Sequence, residues 1–252
     1  MWNDFKTYDY SAMEAKVIDL EVNGEKINAY FSRPVGKENV PGIVLIPHMP
    51  GWDEWCRETA RRFTEHGYQV VCPNIYYRYG DGTPVEVSTR CREAGMVPDK
   101  SVMADTHASA EFLKSQPDSN RKVGVIGMCS GGRHAFMAAC ELDDFDAAID
   151  CWGGSVFGER TDEEGNTYTA ADHVEDLNCP LFGIFGNDDK FPTPEEVVKQ
   201  EELLDKYGKD YEFVKYDGAG HGIWYYDKPM YRQEAAMDSF NKALDFFDKH
   251  LK

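Results

Sequence analysis

Val123-Gly124-Val125-Ile126-Gly127-Met128-Cys129-Ser130-Gly131-Gly132 is the stretch on which the fold turns. Residues 123–126 read as a short strand buried on both faces. Residues 131–140 read as a helix, so strand passes to helix through a sharp turn with Cys129 at its apex. The spacing is that of G-x-S-x-G with cysteine in the serine slot. Gly127 and Gly131 stand two before and two after Cys129, where a tight turn needs room. Ser130 as nucleophile would need glycine at Met128 and fails. The following helix aims its positive N-terminus at Cys129, which favours a thiolate. The Ser130 N–H is a natural oxyanion donor. The plainer reading, a tight turn holding an inert buried cysteine, weakens once strand context and partner residues are added.

Working outward, residues 15–22 and 26–32 alternate in the β manner around Asn23-Gly24, a hairpin signal. The apolar run Gly42-Ile43-Val44-Leu45-Ile46 reads as a second buried strand. Further strands are expected at 68–72, 145–151, 181–185 and 211–216. Helices are expected at 52–66, 99–115, 194–207 and 230–250, with a loop-rich stretch at 74–98 holding short helices. This alternation predicts an α/β fold: one domain over 1–252, a mostly parallel sheet opened by an antiparallel hairpin, and helices on both faces. Chemistry in such sheets gathers at the carboxyl ends of the strands.

Composition bounds the function. The chain has 252 residues and a net charge of −18, from 27 basic and 45 acidic side chains. That field repels phosphate backbones and anionic membrane surfaces, so neither nucleic acid nor membrane is expected as a partner. The partner is a small molecule, and the chain is expected as a monomer or small homo-oligomer. The seven cysteines form no close CxxC pair, so no metal site and no disulfide framework are expected. Residues 1–10 lack the pattern of a signal peptide, and no apolar run reaches the length of a membrane span. A cytoplasmic location follows as the expectation. No cofactor motif is present.

A cysteine nucleophile calls for an imidazole base, and the base for a carboxylate that fixes its tautomer. Residues 181–185 lead into Gly186-Asn187-Asp188-Asp189-Lys190-Phe191-Pro192, which offers Asp188 as the acid, with Asp189 beside it as the alternative. Residues 211–216 lead into Asp217-Gly218-Ala219-Gly220-His221-Gly222, which offers His221 as the base. After the first buried strand, Pro47-His48-Met49-Pro50-Gly51-Trp52 stands where a second oxyanion donor is usually found. Met49 N–H is the candidate, and His48 faces either Cys129 or the substrate. Trp52, Trp152, Trp224 and Tyr225 are expected to wall an aromatic substrate pocket. Arg78, Arg90, Arg92 and Arg133 are carboxylate-clamp candidates, Arg78 foremost.

With these segments together, the chain resembles the dienelactone hydrolase family over nearly its whole length. The likeness rests on 127–132, on 186–192 and on Gly218-Ala219-Gly220-His221, with support from Arg57-Glu58-Thr59 and from 67–76. It implies an α/β-hydrolase fold, a Cys129–Asp188–His221 triad, and cleavage of a small ester or lactone through a cysteine acyl-enzyme, as in a carboxymethylenebutenolidase. The resemblance also favours Asp188 over Asp189. Two positions depart from the family's best-known members. His48 stands where they carry a glutamate, and Tyr225 stands where they carry a carboxylate-binding arginine. Two further readings stay open: a promiscuous carboxylesterase or thioesterase, and a non-catalytic binding protein on a hydrolase scaffold.

Overall fold

In a computed structural model, the structure describes residues 13–49 and 51–252. The reading of residues 1–10 therefore lies outside the described residues. Strands β1 (Met13–Val22) and β2 (Glu25–Pro34) form the expected hairpin. Asn23 and Gly24 both take positive φ at its turn, as a two-residue connection between twisted strands requires.

The chain then alternates. Strand β3 (Val40–Ile46), helix α1 (Glu54–Glu65) and strand β4 (Gln69–Pro73) come first. Helices α2 (Pro84–Glu93) and α3 (Asp99–Ser115), strand β5 (Ser119–Met128), helix α4 (Ser130–Glu141) and strand β6 (Ala147–Cys151) follow. A two-stranded hairpin, β7 (Arg160–Thr161) with β8 (Thr167–Tyr168), interrupts the pattern. Strand β9 (Leu181–Gly186), helix α5 (Pro194–Lys206), strand β10 (Tyr211–Tyr216) and helix α6 (Gln233–Leu251) complete it. The eight-stranded sheet runs β1-β2-β4-β3-β5-β6-β9-β10, antiparallel up to the β2–β4 pair and parallel beyond it.

Period-two alternation divides the central strands between two apolar layers. Val44, Ile46, Val71, Val123 and Val125 join Ala110 and Leu113 of α3 and Ala135, Ala138 and Ala139 of α4. Ile43, Leu45, Val70, Cys72, Ile126 and Ile149 join Phe63 of α1 and Phe240 and Phe247 of α6. Each fully buried side chain of this size contributes about 1.5–3 kcal/mol against the cost of ordering the chain. These layers hold the carboxyl ends of β3, β5, β6, β9 and β10 along one edge.

The structure bears out the α/β-hydrolase architecture and refines its edges. Helix α1 begins at Glu54 because Asp53 caps it, accepting from the Cys56 N–H at 3.0 Å. Helix α2, inside the stretch expected to be loop-rich, starts at a Thr83–Glu86 capping box with Pro84 at its first position. The β7–β8 hairpin was not anticipated: two-residue strands carry no readable periodicity. Among the described residues, no helix is long and apolar enough to cross a membrane.

Asp150, mid-β6, is fully buried. Its Oδ1 accepts the Gly153 N–H at 2.8 Å, and its Oδ2 has no hydrogen-bond partner. Burial raises its pKa to about 7, with only partial opposition from Gly153 and Gln200. The unfolded carboxyl titrates near 4, so between about pH 4 and 7 the folded chain holds a proton the unfolded chain lacks. Stability therefore falls as pH rises through that window. Asp150→Asn is expected to remove this component. Thermal midpoints of the two proteins should diverge in the variant's favour between pH 5 and 8; parallel midpoints would contradict the assignment.

Candidate active site

Cys129 sits between β5 and α4 with φ 57° and ψ −122°, a conformation that costs a non-glycine residue about 1–3 kcal/mol. Close backbone approach enforces it. A Cβ on Gly127 would lie 1.9 Å from the Gly131 carbonyl oxygen, and one on Gly131 would lie 2.4 Å from that of Ile46. The Cys129 N–H donates to the Cys151 carbonyl at 3.0 Å, and the Cys129 carbonyl accepts from Gly132 N–H at 2.9 Å. The side chain is left partly exposed, above a helix whose first N–H groups have no intrahelical acceptor.

His221 lies in the loop after β10. Its Nδ1–H donates to Asp189 Oδ2 at 3.0 Å. Burial opposes its charged form, but hydrogen bonding to Asp189 and to Cys129 raises its pKa to about 10. The imidazole is therefore held by the Asp189 carboxylate, with Cys129 among the groups that act on it.

The acid that meets His221 is Asp189, which corrects the expectation of Asp188. The turn after β9 explains the choice. Asp188 N–H donates to the Ala219 carbonyl at 2.9 Å and Asp189 N–H to the Gly186 carbonyl at 3.2 Å. This turn leaves Asp188 exposed and folds Asp189 inward, where it is 6% exposed and its Oδ1 accepts the Phe191 N–H at 2.9 Å.

The expected substrate residues divide. Arg78 does not face an open pocket: its guanidinium pairs with both oxygens of buried Asp105, at 2.7 and 2.8 Å, and lies over the Tyr77 ring. Arg133 is likewise taken by both oxygens of Asp99, at 2.9 and 2.8 Å. Arg90 donates to the carbonyls of Tyr79 and Asp81, and Arg92 to the Ser88 hydroxyl. Trp224 points away into the core, its indole N–H donating to Ser239 of α6 at 2.8 Å. Trp52 lies part-buried with its N–H on the Cys72 carbonyl at 3.0 Å. Met49 is part-buried in the loop after β3, and Ser130 opens α4 with its hydroxyl buried and unpartnered.

Trp152, His48 and Tyr225 do come together. Trp152 is fully buried, directly after the residue that accepts the Cys129 N–H, and its indole N–H has no partner. Its ring lies 5.9 Å from that of Tyr225. His48 is buried, with Nδ1 2.7 Å from the Tyr225 hydroxyl and Nε2 3.0 Å from Asp53 Oδ2. Sequence reading missed Asp53. Its one signal, an acidic residue just before a helix, is shared by every helix cap.

The dienelactone hydrolase family model matches residues 27–251. The chain belongs to the dienelactone hydrolase family. A protein of Yersinia pestis named "Putative carboxymethylenebutenolidase" is 27% identical over 233 residues, covering 90% of this chain and 85% of that one. A similarly named protein of Salmonella typhimurium is 26% identical over 242 residues, covering 95% and 88%. Among solved structures, "Putative Dienelactone Hydrolase from Klebsiella pneumoniae" superposes with a TM-score of 0.85 at 26% identity, covering 94% of this chain and 99% of the other. This dienelactone hydrolase-family chain is accordingly a hydrolase of the ester- and lactone-cleaving kind.

The geometry separates the two adjacent acids. Asp189→Asn should lower kcat/KM for p-nitrophenyl acetate by about 10²-fold or more, because the imidazole loses the group that fixes its tautomer. Asp188→Asn should stay within about threefold, as expected of an exposed side chain. The reverse ranking would move the acid to Asp188.

Proposed function

We propose that this protein hydrolyses a small ester or lactone lacking a carboxylate, through an acyl-enzyme on Cys129, with His221 as acid–base and Asp189 as its orienting acid. The observation that carries the reading is the position of His221, hydrogen-bonded to Asp189 and adjoining the sulfur of the strained elbow.

His221 takes the Cys129 proton, giving a thiolate paired with an imidazolium. The sulfur attacks the substrate carbonyl, and the carbonyl π electrons move onto oxygen. N–H groups of Ser130 and Met49 hold that oxyanion, where loss of one donor typically costs about 10²–10³ in rate. The C–O bond breaks, and the His221 proton passes to the leaving oxygen. Neutral His221 then takes a proton from water as hydroxide adds to the thioester. The C–S bond breaks, the acid leaves, and thiolate and imidazolium are restored.

Substrate class follows from the charges. Arg78 and Arg133, two of the arginines offered by the sequence as carboxylate clamps, are each neutralised by a buried aspartate. Cys129 packs against the apolar cluster that holds Trp152 and Tyr225. This favours the carboxylesterase reading over that of a carboxymethylenebutenolidase, whose substrate carries a carboxylate. All seven cysteines are unpaired, which supports a reducing compartment such as the cytoplasm.

Cys129→Ala should abolish turnover of p-nitrophenyl acetate, and rapid quenching of the wild type should trap one acetyl group on Cys129. Undiminished turnover in the variant would overturn the mechanism. Across a matched ester pair, the neutral member should be preferred by about tenfold or more, since an unpaired buried carboxylate is costly. Preference for the carboxylate-bearing member would return the reading to a carboxymethylenebutenolidase.

A further inference from the structure

Three side chains of metal-ligating type, none of them used by the hydrolytic cycle above, meet at the N-terminus of α1. One donor atom from each of His48, Asp53 and Cys56 lies within 4.8 Å of the other two. Among the described residues, no other histidine, cysteine and carboxylate side chains bring three donors so close. The spacing is His-x4-Asp-x2-Cys, with a single cysteine, so the absence of a CxxC pair does not bear on it.

Local structure builds the trio. Asp53 caps α1, and Cys56 stands three residues on, in the first turn. Asp53 Oδ1 accepts the Cys56 N–H at 3.0 Å, which leaves Oδ2 to face His48 Nε2 at 3.0 Å. One carboxylate can therefore cap the helix and serve a cation at once. The far ring nitrogen, His48 Nδ1, lies 2.7 Å from the Tyr225 hydroxyl. A ligating imidazole is commonly held through its other ring nitrogen in this way, which fixes its tautomer and orientation. The positive end of α1 favours thiolate at Cys56.

Burial adds to the case. His48 and Cys56 are buried, while the Asp53 side chain is 25% exposed. An ion can thus enter past Asp53, and a water on that side can complete four positions. Packing alone does not call for an imidazole, a carboxylate and a thiol side by side, because burying polar groups costs free energy unless each is satisfied.

We propose that His48 Nε2, Asp53 Oδ2 and the Cys56 sulfur bind one Zn²⁺ ion, with water as the fourth ligand. The donor set selects the metal: nitrogen, oxygen and sulfur together suit zinc, whereas Mg²⁺ and Ca²⁺ require oxygen. Tetrahedral bonds of about 2.0–2.3 Å place donors about 3.3–3.8 Å apart, so the trio closes on the ion with shifts of about 1 Å or less. Burial pushes the Cys56 pKa far up, so Cys56 enters as a thiol. Its proton passes to solvent as the S–Zn bond forms. His48 keeps one hydrogen, on Nδ1, and donates it to the Tyr225 oxygen. Thiolate and carboxylate cancel the two charges of the ion, so no net charge is buried. The ion fastens the loop after β3 to α1. No ligand belongs to Cys129, His221 or Asp189, so the site stands apart from the hydrolytic reading.

Co²⁺ is the probe, because a thiolate ligand gives it a near-ultraviolet charge-transfer band. Reduced, chelator-stripped protein should take up one Co²⁺ per chain with that band, and Zn²⁺ should displace it. Cys56→Ser should abolish the band and weaken Zn²⁺ binding by about 10²-fold or more. Asp53→Asn keeps a capping side chain and should weaken Zn²⁺ binding by about tenfold or more while the band persists. Cys129→Ser should bind as the wild type does, which separates this site from the elbow. A wild type without the band, a band that survives Cys56→Ser, or a band lost in Cys129→Ser overturns the proposal.

Discussion

The backbone conformation of Cys129 is the constraint on which the site depends. Strand β5 must end and α4 begin within one residue, and that residue bears a side chain at positive φ. The conformation persists because the surrounding backbone leaves no alternative. Gly127 meets the Gly131 carbonyl and Gly131 meets that of Ile46, at distances no side chain could occupy. Packing at atomic contact thereby becomes exposure of one sulfur above the sheet edge.

Everything else at the site is positioned relative to that edge. Strands β6, β9 and β10 extend the parallel sheet in register, so their loops emerge on the same side as Cys129. The β9 loop delivers Asp189, and the β10 loop delivers His221 and then Tyr225. Asp188 N–H donating to the Ala219 carbonyl ties these two loops together. The imidazole and its carboxylate are therefore held as one unit against the elbow.

The architecture was legible because buried parallel strands and amphipathic helices have different periods, and because Gly127-x-Cys129-x-Gly131 has a steric cause. His221 was legible through its flanking glycines. Which carboxylate meets it was not, since Asp188 and Asp189 are chemically identical and only the hydrogen bonds of the turn after β9 decide which one faces inward. Arg78 and Trp224 were misplaced for a related reason. Residue type shows what a side chain can do, but Asp105 and Ser239, which engage them, are distant in sequence and share no pattern with them. The Asp53–His48–Tyr225 array was invisible on the same ground, its ends lying on different loops.

The charge distribution links stability to recognition. The chain has 45 acidic side chains, and several of the buried ones neutralise cations inside the fold. Asp99 receives Arg133, the His134 Nε2–H at 3.0 Å and the Tyr168 hydroxyl at 2.8 Å. Burial opposes charge on Asp99, but His134 and Arg133 hold its pKa well below the usual carboxylate range. Breaking one partner of such a buried pair strands the other charge, which typically costs about 3–5 kcal/mol. Arg133 stands four positions beyond Cys129, so this pairing anchors the first turn of α4 to the start of α3. The same interaction that steadies the elbow helix thus keeps a guanidinium from reaching an anionic substrate. Arg78, held by Asp105 after β4, is withheld in the same way. Both guanidinium charges are thus held within the fold by buried carboxylates.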